Sequence, residues 1–285
     1  MRWTPGGRSQ DIEDRRGQGS GNRGRGGLKL GLGGIVLVGV LSLVLKRNLF
    51  SELSGRPPAI APDQVPAGAQ SPEEEKLVEF ISFALDDMQG VWSQDFERRG
   101  QRYPRAKLVL FRDEVRSACG GADAATGPFY CPGDQKAYID LSFYSALKKR
   151  FGAPGDFAQA YVLAHEIGHH VQNVLGIESK MRKEQRARPA EANALSVKME
   201  LQADCFAGIW GRSTHQRKLL DEGDVEEALR CAAAIGDDKL QKEATGRVRP
   251  EKFTHGSSEQ RMRWFKKGFA SGRIEDCDTF GAGAL

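Results

Sequence analysis

The order of elements along the chain predicts an α+β fold, mostly helical with a small sheet. Two strand-like apolar runs, "AKLVLF" at 106–111 and "KAYIDL" at 136–141, come early in the region with a regular apolar pattern. Stretches of helical periodicity dominate the chain after them, and strands grouped ahead of helices argue against an alternating α/β sheet. A segment rich in Pro and Ala separates this region from everything before it. At 285 residues the chain has room for one sizeable domain with appendages.

Residues 1–27 are rich in Gly and Arg and lack an apolar pattern, which predicts a disordered basic tail. Trp3 is the single aromatic residue there, and the net charge of the whole chain is only +4. Without interleaved aromatics, no nucleic-acid partner is expected. Residues 28–47, "LKLGLGGIVLVGVLSLVLKR", contain sixteen uncharged, mostly apolar positions at 30–45 between Lys29 and Lys46–Arg47. As a helix they would reach about 24 Å, and snorkelling lysines can extend that toward the roughly 30 Å hydrocarbon core. The segment is expected to be an uncleaved transmembrane helix; a cleaved signal peptide fits less well, because no small-x-small site comes after it. Seven Lys or Arg precede the span up to Lys29, against two directly after it. That asymmetry predicts a cytoplasmic amino terminus and an extracytoplasmic domain at the inner or plasma membrane. Residues 48–70 read as a semi-extended linker, and the folded domain is expected over 71–285.

That domain opens on a helix with Ser71 as N-cap, Pro72 at the first position and Glu74 at capping-box spacing. The strand at 106–111, a turn-rich loop, the strand at 136–141 and a short helix near 143–151 come next. In an oxidising compartment cysteines can pair. The loop "CGGADAATGPFYC" brings Cys119 and Cys131 to the ends of one turn-rich segment, so these two are expected to form a disulfide. No paired C-x-x-C supports a zinc ribbon, and the odd count of five leaves at least one thiol free.

The stretch "AYVLAHEIGHHVQNVLG", residues 160–176, carries three of the five histidines within six positions. Phe157, Ala160, Tyr161, Ala164, Gly168, Val171 and Leu175 recur at helical spacing, Asp156 and Gln159 have capping-box spacing, and Gly176 is a stop signal. On that helix His165 and His169 lie about 40° apart, whereas His170 points about 140° away from His165. Glu166 comes directly after the first ligand. His-Glu-x-x-His is the pattern in which two imidazoles hold zinc and the glutamate acts as general base on water. A catalytic zinc needs a third protein ligand. The metzincin spacing would put Gly at 172 and His at 175, where this chain has Gln172 and Leu175. A later helix, "SVKMELQADCFAGIWG" at 196–211, offers Glu200 as ligand, with Asp204 one turn on to orient a liganding histidine.

The segments "AHEIGHHVQ", "ELQADCFAG", "GPFYCPGDQKAYIDL", "IGDDKLQ" and "FTHGSSEQRMRWF", spread over roughly 105–280, resemble the bacterial putative neutral zinc metallopeptidases, single-span membrane proteins with a zincin domain. Glu-x-x-x-Asp after His-Glu-x-x-His is similar, more distantly, to the gluzincins. The resemblance implies one zinc per chain held by His165, His169 and Glu200, with Glu166 as general base. It also implies a Cys205–Cys277 disulfide and a free Cys231. Distant relatives carry a histidine and an arginine at the spacing of His255 and Arg261, which implies that one of them stabilises the oxyanion. The competing reading makes Arg261 a buried ion-pair partner and His255 a turn residue. Ser257 and Gln260 have capping-box spacing, so a helix is expected from Ser258.

The expectation is a membrane-anchored zinc endopeptidase with a zincin-like domain, acting on a peptide or protein substrate. Its rivals are a zinc-binding but non-cleaving scaffold and a tethered binding protein with no metal.

Overall fold

A computed structural model describes residues 1–17, 71–123, 126–151, 155–281 and 283. The expected transmembrane helix at 28–47 and linker at 48–70 lie outside the described residues. Among the described residues no helix is long and apolar enough to cross a membrane.

The first element is the short strand β1 (Ile12–Asp14). A long helix, α1 (Pro72–Arg98), comes next, its first turn capped by Ser71, whose Oγ accepts from the Glu74 backbone N–H at 3.1 Å. The reciprocal half of the expected capping box is missing: the Glu74 carboxylate turns instead to Arg16 and Arg112. Strands β2 (Lys107–Phe111), β3 (Glu114–Ser117), β4 (Gly120–Asp123), β5 (Phe129–Cys131) and β6 (Lys136–Asp140) lie beyond it in the chain. A four-stranded sheet runs β1-β2-β6-β5, and β3 and β4 make a separate hairpin. β2 lies parallel to both β1 and β6, with Leu108 opposite Ile12 on one side and Ala137 on the other. β5 is antiparallel to β6.

Side chains alternate across a strand, so β2 serves two cores. Leu108 and Leu110 face the main core with Ala137 and Ile139, while Val109 and Phe111 join Val115, Cys131 and Tyr138 on the other side. Burial on both faces is why this strand reads as an unbroken apolar run. The Cys119–Cys131 disulfide pins the hairpin end to β5, as the sequence leads one to expect.

Helices fill the remainder: α2 (Ser142–Phe151), α3 (Asp156–Val174), α4 (Ile177–Ala187), α5 (Ala192–Gln216), α6 (Asp224–Ala234), α7 (Asp237–Thr245) and α8 (Ser258–Ser271). The N-cap of α3 is Gly155, without a side-chain bond, and Asp156 is already inside the helix, so the expected Asp156 cap does not form. Gly176 does end that helix, adopting φ +73° between α3 and α4. The capping box at Ser257 and Gln260 is complete.

The central packing event is the crossing of α5 by α8. A Cβ on Gly208 would overlap the Phe265 carbonyl oxygen, and one on Gly268 would overlap that of Cys205. The two helix backbones therefore touch, and only glycine permits it. Trp210, Phe206, Phe265 and Phe157 bury the flanks. Cys205 on α5 is joined to Cys277 after α8, matching the pairing that the family resemblance implies, and Cys231 is the free, buried thiol.

The expectation of disorder over residues 1–27 is corrected for residues 1–17, which belong to the fold. β1 pairs in register with β2, and the backbone continues it, Arg15 N–H donating to the Leu110 carbonyl and Leu108 N–H to that of Asp11, both at 2.8 Å. Trp3 packs edge-on against Phe80 at 5.4 Å between centroids. The four arginines among residues 1–17 are ion-paired. Arg16 contacts Asp14, Glu74 and Glu75, and its side chain is only 1% exposed.

Candidate metal centre

Two helices crossing in the core build the site. His165 and His169 lie one turn apart on α3, and Glu200 faces them from the first half of α5. One nitrogen from each histidine and one Glu200 oxygen all lie within 4.8 Å of one another. His165 Nε2 is 3.0 Å from Glu200 Oε2, and His169 Nε2 is 3.5 Å from Oε1. The imidazole rings meet edge to face, 4.8 Å apart. Gly168 sits directly on Ala203, which lets α3 and α5 approach closely beside the histidines.

The other ring nitrogens are already committed. His165 Nδ1 donates to Asp204 Oδ1 at 2.9 Å, and His169 Nδ1 donates to Gln172 Oε1 at 2.8 Å. With both Nδ1 atoms donating, the Nε2 atoms, which face Glu200, are the ones that would offer lone pairs to a common cation once it displaces their protons. Gln172 is itself held, its amide donating to the Met199 carbonyl and to Gln202 Oε1. Two imidazole nitrogens and a carboxylate, each second nitrogen fixed by a hydrogen bond, are the donor set of a three-ligand zinc site.

Asp204 is fully buried and saturated. Arg261 Nε and Nη2 donate to its two oxygens at 2.8 and 2.9 Å, and the Tyr161 hydroxyl donates to Oδ1 at 2.5 Å. Burial alone would raise this carboxyl, but Arg261 and His165 outweigh it and hold it at about 2. Burial likewise presses His165 toward neutrality, yet Asp204 and Glu200 bring it up to about 9. A pocket whose carboxylates draw protons onto two histidines is one that attracts a cation, and a metal would displace those protons.

Glu166 is buried beside the cluster at 6% exposure, and among the described residues none donates a hydrogen bond to its carboxylate. Burial pushes its carboxyl up, against the pull of His165 and His169. An unshared carboxylate next to a cation site is available to accept a proton from water.

The structure separates the two residues expected to serve an oxyanion. Arg261 is 3% exposed and spent on Asp204, Tyr161 and the Ile235 carbonyl. It braces the residue that orients His165, so the expectation of an oxyanion contact from Arg261 is corrected to the buried ion pair. His255 lies half-buried on the turn before α8, where the charge of Glu200 reaches it. Asp237 holds that turn: its Oδ2 accepts from the backbone N–H groups of Thr254, His255 and Gly256 at 2.6, 2.7 and 3.1 Å. Its Oδ1 lies 3.3 Å from His255 Nδ1.

His170 stands apart from the cluster, as helical spacing requires. Its Nε2 donates to the Pro104 carbonyl at 2.6 Å and its Nδ1 accepts from the Tyr130 hydroxyl at 2.9 Å, tying α3 to the sheet edge. Cys231 is buried, which pushes its thiol up to about 12 and leaves no reactive thiolate. Sequence reasoning missed Tyr161, Gln172 and Asp237. The first two sit four residues before His165 and three after His169, on neighbouring turns, and that spacing is the available signal. Asp237 has no such local signal, because it reaches His255 across a tertiary contact.

The family model described as "Putative neutral zinc metallopeptidase" matches residues 1–280. The chain is 48% identical to the "Uncharacterized protein YpfJ" of Escherichia coli (strain K12), over 99% of both chains. It is 44% identical to the "Uncharacterized protein Rv2575" of Mycobacterium tuberculosis, over 64% of this chain and 65% of the relative. No solved structure matches it.

Proposed function

Because the chain belongs to the putative neutral zinc metallopeptidase family, we propose that it is a zinc endopeptidase whose ligands are His165, His169 and Glu200 and whose general base is Glu166. The observation that carries this reading is the convergence of the three donors within 4.8 Å, beside a buried carboxylate that has no hydrogen-bond donor among the described residues. Zinc bound there supplies Lewis acidity toward a scissile carbonyl and toward water. Glu166 takes the proton of the attacking water and passes it to the departing amine. Asp204, itself braced by Arg261 and Tyr161, keeps His165 in the tautomer that leaves Nε2 unprotonated; Gln172 does the same for His169. His255, positioned by Asp237, is the side chain suited to steady negative charge developing on the carbonyl oxygen. A zincin-like arrangement of the domain accords with a histidine-bearing helix packed beside a small sheet.

The test is hydrolysis of an unfolded, fluorescently labelled protein such as casein by the full-length chain. Glu166→Gln is expected to keep zinc and fold while losing about 10²- to 10⁴-fold in rate, the range of a removed general base. Undiminished hydrolysis by that variant would sink the assignment of the base. Full zinc with no cleavage by the unmodified chain of any unfolded substrate would favour a non-cleaving scaffold.

A further inference from the structure

Gln172, which fixes His169, is one link in a longer run of hydrogen bonds. Gln202 on α5 accepts from the Gln172 amide through Oε1 at 3.1 Å, and its own Nε2 donates to the Cys277 carbonyl at 2.9 Å. The run therefore crosses from α3 through α5 to the turn that follows α8. Gln172 and Cys277 are fully buried and Gln202 is 5% exposed, so water does not stand in for a lost partner.

The direction of each bond is set from the far end. A backbone carbonyl can only accept, so the Cys277 oxygen takes an N–H of Gln202 and turns the Gln202 oxygen toward α3. That oxygen and the Met199 carbonyl take both N–H groups of Gln172. The Gln172 oxygen is left to face His169, whose Nδ1 must carry the proton. Cys277 is in turn tied back to α5 by its disulfide with Cys205, one turn beyond Gln202. Thr279 supports the same stretch, its hydroxyl donating to the Lys198 carbonyl at 2.7 Å. His165 does not depend on this run, because Arg261 and Tyr161 brace its partner Asp204.

We propose that Gln202 is a positioning residue of the metal centre, acting through Gln172 on His169, and that the Cys205–Cys277 disulfide holds its anchor. Zinc is then retained in full only while that disulfide is closed. The inference rests on the reading of His165, His169 and Glu200 as zinc ligands.

The experiment measures zinc affinity of the full-length chain by competition with a chromophoric chelator. Beside the parent stand Gln202→Met, the pair Cys205→Ser and Cys277→Ser, the combination of all three, and the pair Cys119→Ser and Cys131→Ser. Gln202→Met keeps the volume and the disulfide, and should weaken zinc binding about 10-fold, the low end for a group behind a ligand. Opening Cys205–Cys277 should weaken it by no more than that and add nothing to Gln202→Met, since members of one run do not act additively. The Cys119 and Cys131 pair should leave the affinity unchanged. Full additivity, or an equal loss on opening the remote disulfide, would reveal general loosening and overturn the proposal. If the Cys205 and Cys277 serine pair does not fold, Gln202→Met still decides by magnetic resonance of the zinc-loaded chain. Solvent exchange of the His169 Nδ1–H should quicken while that of His165 stays as in the parent; equal change at both, or change at neither, would overturn the run. A parent chain that binds no zinc would overturn the zinc reading and this inference together. A parent that binds zinc beside a Gln202→Met variant that binds it as tightly would overturn this inference alone.

Discussion

The α3–α5–α8 core and the sheet edge where β1 joins are held together by opposite means. In the helical core, apolar side chains and glycine-mediated backbone contact exclude water, and a charged pair, Asp204 with Arg261, is wholly enclosed. At the sheet edge a three-residue strand of polar composition is fastened by arginines and lysines to carboxylates that water still reaches. The lesson is that the site's precision rests on the first kind of bonding, whereas the amino-terminal strand is held by backbone pairing and ion pairs at the sheet edge.

Arg261→Leu attacks the enclosed half directly. It strips the cation from Asp204, and breaking a buried pair costs about 3–5 kcal/mol. A large fall in the thermal midpoint is expected, together with weaker zinc retention, because His165 loses its braced partner. An unchanged midpoint would mean that Asp204 is not enclosed as described.

The disulfides separate the regions next. Cys205–Cys277 closes 72 residues and Cys119–Cys131 only 12, which loop entropy converts to about 4 and about 3 kcal/mol. Replacing each pair by serine and comparing denaturant midpoints should therefore rank the first pair above the second. The reverse order would place more of the domain's cohesion in the hairpin than its packing suggests.

Arg16→Ala probes the sheet edge and should cost about 2 kcal/mol, between the worth of a surface pair and that of a buried one. Its signature is local: faster proteolysis within residues 1–17 while the zinc site stays intact. Acid should act on the same part. The Arg16 hydrogen bonds and charge hold Asp14 at about 2, below its ordinary 3.8. A depressed carboxyl contributes stability that is fully present above its ordinary value and lost as the pH falls through its folded one. Hydrogen exchange at Ile12–Asp14 should thus accelerate as pH drops from about 4 toward 2, after allowance for intrinsic rates.

The same contrast explains how much can be read from the amino acids alone. Helical periodicity in α1, α3 and α5, the strands β2 and β6, and the Ser71 and Ser257 caps are local patterns. His165, Glu166 and His169 occupy one such pattern, and Glu200 and Asp204 another. β1 is illegible because "IED" has no apolar alternation and its partner strand β2 is far off in the chain, Ile12 pairing with Leu108. Arg261 is ambiguous for a related reason: an arginine near a metal motif can face substrate or brace a ligand, and only the position of Asp204 between α5 and α8 decides. Asp237 acts through tertiary hydrogen bonds that spacing cannot announce.

The most direct test of the central claim is zinc content of the full-length chain by elemental analysis, beside Glu200→Ala and Asp204→Asn. About one zinc per chain is expected in the parent, none in Glu200→Ala, and roughly 10- to 100-fold weaker affinity in Asp204→Asn. A parent chain that takes up no zinc even when it is supplied, or a Glu200→Ala variant that holds it as tightly, would contradict a three-ligand zinc centre built on these residues.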